Sequence, residues 1–267
     1  NFLGFSCEEK IMNQFNYVGL LAIYKFELSR FKRTFWQSLV TPIITTMLFL
    51  LVFGNAIGER VGGVGGVSYA AFIVPGLIML TILNESLSNS SFGIYMPKFN
   101  GTIYEILSAP LSPYEIALGY VSAAASKSIV LGLLILCTAI FFIDIPIKHP
   151  FMMFTFLIYI SFIFSMIGFI IGVISKSFDE LQFVPLLIIT PLTFLGGAFY
   201  SIDMLPEVWR TATLLNPIIY IISTFRWSFL GVSPVSIYVS LGVITAIFLL
   251  SLTLIVIIFR TGYRVKT

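Results

Sequence analysis

NGTIYEILSAPLSPYEIALGY, running from Asn100 to Tyr120, is the stretch on which the fold turns. It carries two carboxylates (Glu105, Glu115), two prolines (Pro110, Pro113) and the triplet Tyr-Glu-Ile twice, and it lies between two long apolar runs. Of the 267 residues in the chain, 58% are hydrophobic and 10% charged, with a mean hydropathy of +1.02. A soluble domain carries about 25% charged residues. The composition is that of a polytopic membrane protein, and a polar, proline-broken segment within it reads as a connection outside the lipid.

Six runs reach the roughly 20 mostly apolar residues that a crossing helix needs. They fall at about 36–57, 69–92, 116–142, 151–174, 181–199 and 235–259. An even number puts both termini on one side, and the Lys/Arg distribution chooses it. With the N-terminus cytoplasmic, only Arg60, Lys148, Arg210 and Arg226 of the fifteen basic residues fall outside. Both ends are therefore expected in the cytoplasm, together with Asn100–Tyr120. Residues 1–14 read as a polar tail in which Met12 is a candidate start, and 36–267 as one six-helix domain.

Before the first span, residues 15–35 have helical periodicity. Tyr17, Leu20, Leu21, Tyr24, Leu28, Phe31 and Phe35 recur at spacings of three and four, with Lys25, Ser29, Lys32 and Arg33 on another face. This predicts an amphipathic helix in the membrane interface, with Lys25, Arg30, Lys32 and Arg33 as its basic residues, or a basic anchor that enforces topology. Between the fifth and sixth spans, Tyr200–Gly231 is apolar but broken by Pro206, Pro217, Arg210 and Arg226. Its apolar piece after Pro217 is too short to cross and return, which predicts a re-entrant pair of short helices.

Few residues offer chemistry. Cys7 and Cys137 form no disulfide framework or CxxC site, and His149 is the single histidine. The Gly-rich run at Gly62–Gly66 lacks the Lys-Ser/Thr of a P-loop. Glu85 and Lys127 are the two charges placed within spans, each about ten residues from its inner end and so at similar depth. They are expected to pair, either to fix two helices or to line a substrate path. Asn84–Ser91 reads as a polar helix end or part of such a path. Gly168-x-x-x-Gly172 is either a packing motif or a chance match.

Within the opening stretch, Pro110 and Pro113 divide a short helix from the next span, and Ser112 with Glu115 makes a capping box. GTIYEILSAPLSPYEIALGY, and FLGGAFYSIDMLPEVW followed by NPIIYIISTFRWSFLG, resemble landmarks of the integral-membrane subunit of ABC-2-type exporters. That permease family includes polysaccharide, nodulation-factor and drug exporters, and the resemblance runs from about Phe15 to Arg264. It implies an all-α fold, separate cytoplasmic ATPase subunits that hold ATP and Mg, and a second permease copy, the homodimer being expected. It implies no cofactor in this chain, and no nucleic-acid partner is expected. A coupling helix falls at Thr102–Ala109, with Tyr104, Glu105, Ile106, Leu107 and Pro110 as coupling residues. Phe199, Tyr200, Trp209 and Arg226 are the expected outer gate, or a rigid outer cap. The implied function is ATP-driven movement of a lipid-linked glycan, lipid or drug-like amphiphile out of the cytoplasm or inner leaflet of the bacterial inner membrane. An ion-coupled carrier and a non-transporting scaffold are the alternatives.

The topology is directly testable. A green fluorescent protein fused to the C-terminus should fluoresce and an alkaline phosphatase there should be inactive; an active phosphatase would reverse the orientation.

Overall fold

The computed structural model describes residues 15–58, 63 and 66–261. The tail at 1–14, Cys7, most of the 59–65 loop with Arg60, and the C-terminal Arg264 and Lys266 lie outside the described residues. The elements are α1 (Tyr17–Arg33), α2 (Phe35–Phe49) continuing as a looser π-helical stretch (Leu50–Ile57), α3 (Tyr69–Phe99), α4 (Ile103–Ser108), α5 (Pro113–Phe142), α6 (Pro150–Ile174), α7 (Phe178–Phe183), a second π-helical stretch (Val184–Ile189), α8 (Thr190–Leu195), α9 (Glu207–Leu214), α10 (Pro217–Leu230) and α11 (Ile237–Thr261). Among the described residues, six helical runs are long and apolar enough to cross a membrane: Phe35–Gly54, Tyr69–Phe99, Pro113–Phe142, Pro150–Ile174, Phe178–Leu195 and Ile237–Thr261.

Local chemistry sets the helix boundaries. The Ser68 hydroxyl accepts from the Ala71 N–H and starts α3. The Asn216 side chain accepts from the Ile218 N–H, Pro217 takes the first turn of α10, and Gly231 at φ 73° ends it. In the fifth span, Pro185 and Pro191 each remove a backbone donor, and the looser π-helical stretch occupies the stretch between them. The second span extends well past residue 92, because Pro97 does not stop the helix and α3 continues to Phe99.

α3 is the axis of the bundle. Most of its residues are buried, and it packs against α5, α6, α10 and the π-helical end of α2. Its most extensive packing is against α6. A Cβ added at Gly168 would collide with the Leu87 carbonyl oxygen, and one at Gly172 with that of Ser91. The Gly-x-x-x-Gly pair is therefore the packing surface, and it lets two helix backbones touch. Ser86, Ser90, Ser161 and Ser165 are all buried on these two helices. The polar run at Asn84–Ser91 thus contributes much of its length to a helix–helix seam. The spans Phe35–Gly54, Phe178–Leu195 and Ile237–Thr261 sit at the periphery and leave large apolar side chains such as Leu48, Leu51, Leu186, Leu187 and Leu250 exposed.

Overpacking at a backbone contact costs about 1–3 kcal/mol. Gly172→Val should lower the melting temperature in detergent, whereas Gly242→Val, where a Cβ meets nothing within 4 Å, should leave it unchanged. Equal melting of the two variants would contradict the α3–α6 contact.

Candidate functional site at the α4 end of the bundle

Several long-range polar contacts gather near the end of α3. Asn100 caps it, Gly101 turns the chain at φ 78°, and α4 follows as a single short helix. Ile103 is buried in an apolar cluster with Ile94, Ile116, Phe169 and Val173, and Ile106 and Leu107 pack against that cluster. Tyr104, Glu105 and Pro110 face outward and are exposed. Among the expected coupling residues, Tyr104 and Leu107 are therefore separated, because the inward face is set by Ile103 with Ile106 and Leu107.

Glu115 joins three elements at this point. The residue is 3% exposed. It accepts from the Ser112 N–H at 2.6 Å and from the Asn16 N–H at 2.5 Å, while the Ser112 hydroxyl accepts from the Glu115 N–H at 3.3 Å. The capping box is complete on both sides. Asn16 is the N-cap of α1: its side-chain oxygen accepts from the Gly19 N–H, and its amide donates to the Pro110 carbonyl at 3.1 Å. The start of α1, the turn after α4 and the start of α5 are thereby fastened together. Farther along, Gly119 lets Ile23 lie directly on α5, and the Tyr24 hydroxyl donates to Ser126 at 3.0 Å.

The inner face of α1 carries a charge. Ile23 and Glu27 are its buried residues, and Glu27 pairs with Arg30 at 2.7 Å. Arg30 also lies over the Phe92 ring at 5.4 Å. It is turned toward the bundle, whereas Lys25, Lys32 and Arg33 are exposed. Nearby, Glu85 and Lys127 stand 3.9 Å apart, bridged by Asn89, which donates to Glu85 at 2.8 Å and accepts from Lys127. Lys127 lies 5.2 Å from the Phe31 ring centroid. Two acids and two bases thus link α1, α3 and α5. Beside them is a cavity of 600 Å³ with Phe26, Arg30, Phe92, Met96, Thr102 and Glu105 among its lining residues. Among the described residues no cluster of His, Cys, Asp and Glu could hold a metal ion.

The four residues expected at the outer gate have different surroundings. Phe199 packs on Phe49, Phe53 and Phe194. The Tyr200 hydroxyl donates to Leu195, and Trp209 on α9 is exposed. Arg226 lies on α10 and is buried against α3, because α10 turns an apolar face into the bundle. Glu85 and Lys127, the two charges placed within spans, are half-buried, whereas Glu27, Glu115 and Arg226 are buried. Glu27 stands four residues from Ile23 and three from Arg30, a spacing visible in the sequence, but nothing in the sequence tells which side of α1 faces protein.

Residues 19–230 match the model of the family described as "ABC-2 type transporter". The chain belongs to the ABC-2 type transporter family. It is 38% identical to the inner membrane transport permease YadH of Escherichia coli K12 over 228 residues, 85% of this chain and 89% of that protein. It is 25% identical to nodulation protein J of Rhizobium leguminosarum bv. trifolii over 217 residues, 79% of this chain and 81% of that one. The match takes in α4, Ser112, Glu115 and the whole of α10, and it begins three residues after Asn16.

Burial pushes the Glu27 carboxyl above its ordinary value of 4.5, and Arg30 and Lys127 pull it partly back. A carboxyl raised in the fold stabilises it fully below 4.5, and that contribution is lost as pH rises through the folded-state value. The melting temperature should therefore include a fall with rising pH above 4.5 that Glu27→Gln, neutral throughout, does not show. Identical slopes in the two proteins would contradict the assignment.

Proposed function

We propose that this ABC-2 family member is the permease subunit of an ATP-driven exporter in the bacterial inner membrane, working as two copies with two separate ATPase subunits. The observation that carries the reading is the construction of α4. Its apolar face is locked into the bundle through Ile103, its outer face presents Tyr104 and Glu105, and it is fastened to α1 and α5 through Asn16, Pro110 and Glu115. A short helix held in this way cannot be pushed alone. A partner that bears on its outer face displaces α1 and α5 with it, because close-packed elements shift as units rather than deform. ATP and Mg stay on the partner.

On this reading both termini lie in the cytoplasm, α4 faces the ATPase, α1 lies in the interface with Lys25, Lys32 and Arg33 toward headgroups, and α9–α10 enter from the far side without crossing. The name of the relative YadH supports the inner-membrane placement. The apolar faces of α2 and of Phe178–Leu195 are free for lipid or for the second copy. The cargo is an amphiphile: a lipid-linked glycan, a lipid or a drug-like molecule. The 600 Å³ cavity, apolar with Arg30 and Glu105 on its wall, fits the head of such a molecule. An ion-coupled carrier or a scaffold needs no outward-facing α4.

Co-purification tests the reading. ATPase subunits expressed with this chain should be recovered with it, and the pair Tyr104→Ala, Glu105→Lys should reduce recovery several-fold, whereas Glu85→Gln should not. Full recovery with the α4 variant would refute the docking face. An ATPase that never co-purifies would refute the exporter.

A further inference from the structure

At the end of the bundle opposite α4, Arg226 is 3% exposed, and among the described residues no carboxylate pairs with it. Its Nη2 donates to the carbonyl oxygens of Gly197 at 2.7 Å and Ala198 at 3.2 Å, and the guanidinium carbon lies 4.0 Å from the Phe72 ring centroid. Its Nε is buried and has no partner. The side chain forms part of the wall of a 440 Å³ cavity whose lining also includes Phe72, Ser201, Asp203, Val232 and Ser233. A guanidinium carries five donors in a planar fork that matches a phosphate or carboxylate. Two carbonyl dipoles and one ring face compensate only part of the cost of taking such a charge out of water.

We propose that this cavity binds a phosphate or carboxylate group, with Arg226 as its charge partner. The volume is far larger than one water occupies and accommodates a headgroup. Ser201 and Ser233 add hydroxyls to the wall. Asp203 places a negative charge on the same cavity, but its side chain is 66% exposed and lies 3.6 Å from Arg210, so its repulsion is screened and partly offset. Arg226 has a structural duty in holding the Gly197–Ala198 turn, and that duty leaves the cavity side of the guanidinium available. The site is independent of whether α4 docks an ATPase.

Melting of the purified chain in uncharged detergent tests the proposal and separates the two sources of the anion. One arm titrates inorganic phosphate against chloride at fixed ionic strength. The other adds phosphatidylglycerol against phosphatidylcholine. Saturable stabilisation is expected in at least one arm: by phosphate if a free anion suffices, by phosphatidylglycerol alone if the site takes a lipid headgroup. Arg226→Gln should weaken the effect about tenfold or more, the loss of a charge-assisted hydrogen bond. Because that variant also removes the turn's support, Val232→Trp is the second probe: it fills the cavity from a position 56% exposed and should abolish the effect while Arg226 and the turn it holds are left in place. Asp203→Asn should tighten binding at low salt. No stabilisation in either arm, or stabilisation undiminished in Val232→Trp, would overturn the proposal.

Discussion

A buried carboxylate with two backbone donors holds the α4 end of this protein together. Taking a carboxylate out of water is costly unless hydrogen bonds replace the water. Glu115 meets that requirement with the N–H groups of Ser112 and Asn16. Ser112 begins α5, and Asn16 caps α1, so one side chain fixes the angle between two helices far apart in sequence. The Asn16 amide then reaches the Pro110 carbonyl and fixes the turn that leaves α4. Around this joint, Ile23, Ile103 and Ile116 share one apolar cluster. The polar contacts set the geometry and the cluster supplies the burial, about 25 cal/mol for each Å² of apolar surface removed from water.

The joint matters because α3 leads away from it through the whole bundle. Its C-terminal end supports α4, its middle touches the α6 backbone at Gly168 and Gly172, and its first turns support Arg226 through Phe72. Gly76 lets the Gly197–Ala198 turn rest on α3 directly. α3, α5 and α6 pack most extensively on one another, while the exposed apolar faces of α2, Phe178–Leu195 and α11 suit lipid or another copy. On the proposed reading, a force received at α4 moves α1 and α5 with it, and the less buried peripheral spans rearrange in turn. The two π-helical stretches, Leu50–Ile57 and Val184–Ile189, lie in two of those peripheral spans.

The sequence makes the spans legible because lipid imposes a long, continuous apolar run, and it makes α4 and α5 legible because Pro110, Pro113 and the Ser112–Glu115 spacing act locally. The family is legible in the same stretch together with the Asn-Pro and Arg landmarks of α10, and the match over residues 19–230 agrees. Long-range geometry is not legible. Asn16 reaches Glu115 across 99 residues, and no local pattern announces it. Glu27 hides in a helix whose apolar residues surround it, so periodicity suggests a stripe centred on Tyr17, Leu21 and Leu28 while the buried stripe centres on Ile23 and Glu27. Arg226 stands in a segment whose short apolar run after Pro217 reads as a re-entrant helix, and only the fold shows α10 packed against α3 and α6 with Arg226 buried between them and the Gly197–Ala198 turn.

The central claim is that α1, α4 and α5 are one body joined at Glu115. Hydrogen–deuterium exchange in lipid nanodiscs measures it directly. Glu115→Ala should raise exchange together in α4 and in the first half of α1, with the amides of α3 and α6 as slow as in the unaltered protein. Faster exchange confined to the first turn of α5, with α1 and α4 unchanged, would contradict the account.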